Sequence, residues 1–320
     1  SSDVCSSDLH AVAMKFSMEY VYDIAPGDVY WAASDLGWAV GHSYIIYGPL
    51  IQGCTTILFE GKPVRTPDAG TFWRIIAAHK VNVFFTAPTA FRAIKKEDPT
   101  AEYLQKYDLS SLKQIFVAGE RCDPPTLEWL QQITKVPIID HWWQTESGWP
   151  MLGFHTAWDN VLPRAGSAGK PICGFDIQIL GEDGQPLGAG QEGYVAIRLP
   201  LPPGCMPTLW NDDANFDKSY LQQFPGYYAT GDGGYKDAEG YFYIMGRVDD
   251  VFARLHQRHH GRQDSRHAAC RGDAGLGAFH GGQPTLEHRR RRVGEAGVDE
   301  GLFFVGEAGG GGGRIRVVEA

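Results

Sequence analysis

The chain has 320 residues, 43% of them hydrophobic and 21% charged, and a formal net charge of −9. That length and balance allow one large or two ordinary domains with real cores. No stretch approaches the uninterrupted apolar length of a bilayer crossing, and the N-terminus lacks the basic-then-apolar order of a secretory signal, so a soluble cytoplasmic protein without membrane partners is expected.

In chain order, the opening SSDVCSSDL repeats Ser-Ser-Asp without an apolar pattern, and residues 1–13 read as foreign to the rest of the chain. From Thr55 the chain alternates in the way that builds a covered, largely parallel sheet. TTILFE from Thr55 predicts a strand, DAGTFWRIIAAHK from Asp68 a helix, and VNVFFTA from Val81 a second strand. PTAFRAIKKE from Pro88 predicts a helix with proline in its permitted first turn. LKQIFVAG from Leu112, PPTLEWLQQIT from Pro124 and PIIDHWW from Pro137 repeat the strand, helix, strand order. Thr86, Gly119 and Trp143 each close an apolar run, and strand ends are where α/β sheets meet ligands.

After about Gly174 the period shortens to alternating residues and tight turns. FDIQIL, YVAIRL from Tyr194 and YFYIMG from Tyr241 predict strands of a smaller β-rich subdomain. The expected organisation is therefore an α/β subdomain over 14–173, a β-rich subdomain over 174–247, a hinge at 248–250, and a tail over 251–320. That tail holds 11 Arg, no Lys and 8 acidic residues, about +3, whereas the first 250 residues hold 18 basic and 30 acidic ones, or −12. Without a sustained period it buries no apolar face. A basic nucleic-acid tail centred on Arg289–Arg292 is disfavoured because nearby acids cancel most of the charge, so no nucleic-acid partner is expected. A natural flexible extension and a shifted reading frame remain, and the abrupt loss of pattern favours the frame shift. The six cysteines, at 5, 54, 122, 173, 205 and 270, are scattered and imply neither a disulfide framework nor a metal site.

The richest segment is IIDHWWQTE, from Ile138 to Glu146. Two adjacent tryptophans fit a structural core about as well as a ligand site, but Gln144, Thr145 and Glu146 directly after them shift the balance. A nucleotide needs flat apolar faces for its base, a hydroxyl near phosphate oxygens, and a carboxylate for Mg²⁺, which takes oxygen ligands.

At these residues the chain resembles the adenylate-forming acyl-CoA synthetases, in particular the short-chain branch that includes acetyl- and propionyl-CoA synthetases. GDVYWAASDLGWAVGHSYIIYGPL from Gly27, FFTAPTAFRAIKKEDP from Phe84, Gly119-Glu120, TLWNDD from Thr208, FPGYYATGDGGY from Phe224 and GRVDD from Gly246 are similar to that branch and occur in the same order. The resemblance spans about Met14 to Asp250. It implies the large N-terminal domain of an adenylate-forming enzyme, which activates a short carboxylate with ATP, as an acyl-adenylate, and passes it to coenzyme A. By that resemblance Thr145 contacts the α-phosphate and Glu146 helps hold Mg²⁺. Gly119, Glu120, Asp140, His141, Trp142 and Gln144 fall in the adenine and nucleotide site, and Asp232 accepts the ribose hydroxyls. The donor fork of Arg247 suits ribose or phosphate, and Asp249 is the hinge.

The acyl pocket is expected to be short, closed by Trp143 and bordered by Thr86 and Ala118. Acetate-selective relatives carry a larger aliphatic side chain where Ala118 stands. The space gained fits about one methylene, whose burial contributes about 0.8 kcal/mol, so propionate is expected to serve at least as well as acetate.

Each assignment has a plainer reading. Asp232 between two glycines equally fits a turn aspartate, Glu146 a helix cap, and Arg247 with Asp249 a surface ion pair. His42 is read as a satisfied core histidine, because an acid already ionised near neutrality needs no base. The resemblance also implies an upstream phosphate loop bearing a lysine and a C-terminal domain with a catalytic lysine. No lysine follows Lys236, so the chain as written is expected to bind adenine nucleotide weakly without turning over. The rival functions are a non-catalytic adenine-nucleotide-binding protein and a ligase for another small carboxylic acid.

Overall fold

The computed structural model of the chain describes residues 8–158, 163–248 and 313–319. Its centre is a wholly parallel sheet of β1 (Val29–Ala32), β2 (Thr55–Glu60), β3 (Val83–Thr86), β4 (Gln114–Val117), β5 (Ile138–Asp140) and a sixth strand, Arg314–Glu319, in the order sixth strand-β2-β1-β3-β4-β5. Strands of a parallel sheet are covered on both faces, which is why VYWA, VFFT and QIFV are buried at every position.

Because side chains alternate across a strand, neighbours serve different cores. Trp31, Phe84, Ile115 and Ile138 pack with Phe72, Trp73, Phe91 and Leu127. Tyr30, Phe85, Phe116 and Ile139 pack with Met14, Met18, Tyr22 and Tyr44 on the other side.

The first core is roofed by helices. The helix α1 (Asp8–Phe16) and a short α2 (Gly48–Gln52) lie on the second side, and α3 (Thr71–His79), α4 (Pro88–Glu97) and α5 (Pro124–Thr134) cover the first. Proline opens α4 and α5, where its missing N–H costs nothing. Asp123 caps α5 by accepting from the Thr126 N–H at 3.0 Å.

Two stretches depart from the sequence-based expectation. Helix α1 begins at Asp8, ahead of the boundary expected at Met14, and buries His10 and Ala13. Its apolar pattern is hard to read because Leu9 and Val12 are exposed while a histidine faces inward. The strand Arg314–Glu319 lies inside the stretch expected to form no structure. It is held by backbone register against β2, Arg314 opposite Thr55 through Glu319 opposite Glu60. The expected hinge residue Asp249 lies outside the described residues.

Beyond β5, the two-stranded pair β6 (Leu152–Gly153) and β7 (Lys170–Pro171) leads into an antiparallel sheet of β8 (Ile177–Leu180), β9 (Gly193–Arg198), β10 (Tyr227–Lys236) and β11 (Phe242–Arg247), ordered β11-β10-β9-β8. A single-turn helix α6 (Asp213–Phe216) precedes β10, and Arg314–Glu319 is β12. The Gly-rich TGDGG run is not a turn: it lies inside β10, where the pairing register shifts between Ala229 and Gly233 and again between Gly233 and Gly234. Gly231 sits at φ +70°, and a Cβ there would lie 2.4 Å from the Arg247 guanidinium. The irregularity re-aims Asp232 from the middle of a strand. Among the described residues no helix is long and apolar enough to cross a membrane.

Phe84 is fully buried at the sheet centre, in edge contact with Phe72 and Phe91 and tilted against Trp31. Phe84→Ala is expected to destabilise the chain by about 3–5 kcal/mol in urea unfolding.

Candidate functional site

Among the described residues three cavities open at the carboxyl ends of the parallel strands: one of about 770 Å³ beside Ala33–Leu36 and Leu58–Gly61, and a pair on either side of the segment that leaves β5. The larger of the pair, about 550 Å³, is bounded by Gly119–Arg121, Asp140–Gln144, Glu146, Gly166, Ala168, Asp232 and Ile244–Arg247. The smaller, about 360 Å³ and mostly apolar, is bounded by Ser34, Trp38–Val40, Phe85–Ala87, Ala118, Gly119 and Trp143–Thr145. Gly119, Trp143 and Gln144 belong to both walls. The larger cavity thus gathers Gly119, Glu120, Asp140, His141, Trp142, Gln144, Glu146, Asp232 and Arg247. The smaller gathers Thr86, Ala118 and Trp143, and with them Thr145, whose exposed side chain stands on that side.

The segment is fixed by a buried tether. His141 Nδ1 is 2.9 Å from the Val117 carbonyl, which can only accept, so Nδ1 carries the proton and Nε2 accepts the Tyr22 hydroxyl at 2.9 Å. With both ring nitrogens engaged and 1% of the residue exposed, His141 meets the cavity without a free polar side-chain atom. Its expected place at the adenine site therefore reduces to backbone and positioning. Beyond it, Trp142 exchanges backbone bonds with Leu152, and Ser147 closes a tight turn by bonding both the N–H and the carbonyl of Gln144.

Gln144, expected in the nucleotide site, stands in the wall of both cavities and also bridges the two sheets. Its Nε2 donates to Asp232 Oδ2 at 2.6 Å and to the Thr230 carbonyl at 2.8 Å, which joins the two sheets across the cavity. Its Oε1 is buried without a protein partner. Arg247 Nη1 reaches the same Thr230 carbonyl at 3.0 Å and lies 3.8 Å from Asp232 Oδ1. Burial raises the Asp232 carboxyl, and Arg247 and Gln144 pull it back. Glu146 Oε1 accepts the Tyr220 hydroxyl at 3.0 Å, while the Glu146 carbonyl accepts from Met206 N at 2.7 Å. Glu120, in the slot wall, pairs its side chain with Arg92 at 3.0 Å.

Gly119 adopts φ +95°, a conformation that favours glycine, and a Cβ there would meet nothing within 4 Å. The requirement is conformational rather than one of close protein approach. Trp143 is fixed edge-on to Tyr44, 5.4 Å between centroids at 84°. His42 is half-buried beside Tyr47.

Several wall residues escape sequence reasoning. Arg121, Gly166 and Ile244–Met245 come from segments without local motif chemistry, and Trp38–Val40 come from a family-like motif in which no residue type points to a role. Tyr220 is the clearest omission. Nothing in its local sequence signals a contact with Glu146, 74 residues away.

Among the described residues no group of three or more His, Cys, Asp or Glu side chains could cage a metal ion. Glu146 is a single half-buried carboxylate with one oxygen engaged by Tyr220, and that set suits Mg²⁺ shared with phosphate oxygens and water rather than an all-protein site.

A doubly covered parallel sheet with a polar slot and a small apolar annex at its strand ends places the chain in the α/β class. The family model described as AMP-binding enzyme matches residues 6–210, and the chain belongs to that family. It is 53% identical over 242 residues to an uncharacterized protein of Pseudomonas aeruginosa, covering 76% of this chain and 38% of that one. It is 51% identical over 243 residues to the human protein named acyl-CoA synthetase short-chain family member 3, mitochondrial, covering 76% of this chain and 35% of that one. With the propionate–CoA ligase of Salmonella typhimurium it shares 48% identity over 244 residues, covering 76% and 38%. The chain spans little more than a third of the length of these relatives.

Asp140, 6% exposed, is pushed up to about 7 by burial, against the Cys122 and His141 backbone N–H groups that pull it down. His141 is pushed down to about 3 by burial. The folded chain keeps a proton on Asp140 that the unfolded chain sheds above about pH 4, so the contribution of Asp140 to stability is full below pH 4 and lost by about pH 7. His141 acts in the opposite sense: its contribution is full above about pH 6.5 and lost as pH falls towards 3. Asp140→Asn removes only the first effect. Its stability relative to the parent is expected to climb by about 1.4 kcal/mol per pH unit between about pH 4 and 7, read by urea unfolding across that range.

Proposed function

We propose that this chain carries the adenylate site of an AMP-forming short-chain acyl-CoA synthetase, whose substrates in the whole protein are ATP, propionate or acetate, and coenzyme A. The observation that carries the reading is the shared wall: a polar slot sized for a nucleotide and a small apolar cavity meet at Gly119, Trp143 and Gln144. A carboxylate seated in the smaller cavity points its oxygen at a phosphate held at the junction.

The chemistry joins two anions. A carboxylate oxygen attacks the α-phosphorus, the bond to the β-phosphate oxygen breaks, and pyrophosphate leaves. The thiol sulfur then attacks the acyl carbon, its proton goes to solvent, and AMP leaves. Both steps depend chiefly on positioning and on screening of charge. Mg²⁺, when bound, screens the phosphate charge, with Glu146 as its protein ligand and Tyr220 orienting that carboxylate.

The chain's own groups divide the work. Gly119, Glu120, Asp140, His141 and Trp142 form the base slot, the first two and His141 through backbone and positioning. Asp232, oriented by Gln144, accepts the ribose hydroxyls, and Arg247 adds a cation beside ribose or phosphate. Thr145 offers its exposed hydroxyl to the α-phosphate at the junction of the two cavities. Residues 14–173 and 174–247 act as the two halves of the site, with the hinge at Asp249.

Acyl size is set by the wall. Trp143 cannot swing away without breaking its edge contact with Tyr44, so long chains overlap with it, while Ala118 leaves room for a third carbon. A pure nucleotide-binding role is the second reading, favoured only by the buried, fully engaged ring of His141, which needs no turnover.

Titration of the 320-residue chain with AMP tests the nucleotide half. Saturable binding is expected, weakened by about tenfold or more in Asp232→Ala, which removes one of the two acceptors of the Gln144 amide as well as losing the carboxylate. Binding unaffected by that change sinks the assignment. In the full-length protein, Ala118→Val is expected to lower the propionate-to-acetate ratio of kcat/KM about fourfold, the equivalent of one methylene at about 0.8 kcal/mol.

A further inference from the structure

We infer that Arg92, which lines neither cavity, is a positioning residue for the nucleotide slot, a step that rests on the adenylate site proposed for this chain. Its guanidinium makes three different contacts with one loop. Nε donates to Asp123 Oδ2 at 2.7 Å, Nη1 pairs with Glu120 Oε1 at 3.0 Å, and Nη2 donates to the Arg121 carbonyl at 3.0 Å. All three partners lie between Gly119 and the start of α5, and Glu120 and Arg121 belong to the slot wall.

The loop needs such a device. It leaves β4 through Gly119 at a positive φ, and side chains hold its main chain: the Cys122 N–H donates to Asp140 at 3.3 Å, and the Arg121 carbonyl accepts from Arg92. Asp123 meanwhile spends its other oxygen on the N-cap of α5. Arg92 therefore connects α4, α5 and the loop through a single planar group whose donors point in fixed directions. A lysine carries the same charge but one compact donor group, so it cannot span three partners at once.

The function served is base selection. Hydrogen-bonding edges separate adenine from guanine, which exchanges a donor for an acceptor at the six-position, and a wall that reads an edge must be held to within a few tenths of an ångström. Arg92 also neutralises and fixes the Glu120 carboxylate at the slot wall. Removing the fork releases both the loop and that charge.

Calorimetric titration of the 320-residue chain with AMP and with GMP separates this role from a merely structural one, because partial unfolding lowers both affinities and leaves their ratio unchanged. The parent is expected to prefer AMP. Arg92→Lys is expected to cut the AMP-to-GMP ratio by about tenfold, the equivalent of one charge-assisted hydrogen bond. Asp123→Asn, which keeps the cap oxygen but loses the charge, is expected to cut it in the same direction and decides alone should Arg92→Lys fail to fold. A parent-like ratio in the folded variants overturns the assignment of Arg92. Absence of AMP binding by the parent overturns instead the nucleotide reading beneath it.

Discussion

The bond pair made by His141 is the constraint on which the site depends. An imidazole closed off from water, giving one proton to the Val117 carbonyl and receiving one from Tyr22, ties the ends of two neighbouring parallel strands to the helical layer behind them. Neither interaction is strong by itself. Their weight comes from burial, since losing either partner strands a polar atom where water cannot replace it. Everything from Trp142 to Glu146 leaves the sheet from that fixed point, and the two cavity walls inherit its precision.

A second tie is made by Gln144. Its amide reaches from the α/β sheet to the bulged strand of the antiparallel sheet, binding a carbonyl and a carboxylate there. The bulge is what makes this possible. A regular β10 would point Asp232 along the ordinary alternation of the strand, whereas two register shifts around Gly233 turn it towards Gln144 and Arg247. The glycines of this run are thus a backbone requirement for a side-chain direction, which explains a Gly-dense strand that propensity alone would reject.

How much of this is legible in the sequence depends on where the information lies. The strands VFFT and QIFV and the helix from Pro88 declare themselves, because burial on both faces and proline at a helix start are local in sequence. The clustering of Asp140, Trp142, Asp232 and Arg247 is legible only through ordered motifs of a known family, since 90 or more residues separate the two pairs. The contacts that orient them are not legible at all: Tyr220 on Glu146, Arg92 on the loop and Gln144 on Asp232 are products of tertiary approach. His141 shows another limit of local reading. Its place in a rich motif implies a ligand, and only packing reveals that both nitrogens are taken. The strand Arg314–Glu319 goes unseen because edge pairing asks little of side chains, only six residues able to extend beside β2.

The adjacent Asp140 and His141 also bear on the charge of the slot. One holds its proton and the other refuses one in mildly acidic conditions, so these two side chains carry no charge between about pH 3 and about 7. The charged side chains of the slot wall come from other positions: Glu120 and Arg121 near this pair, and Glu146, Asp232 and Arg247 elsewhere. A group resting against this pair in that range therefore meets two uncharged side chains, with every ion supplied by the residues around them.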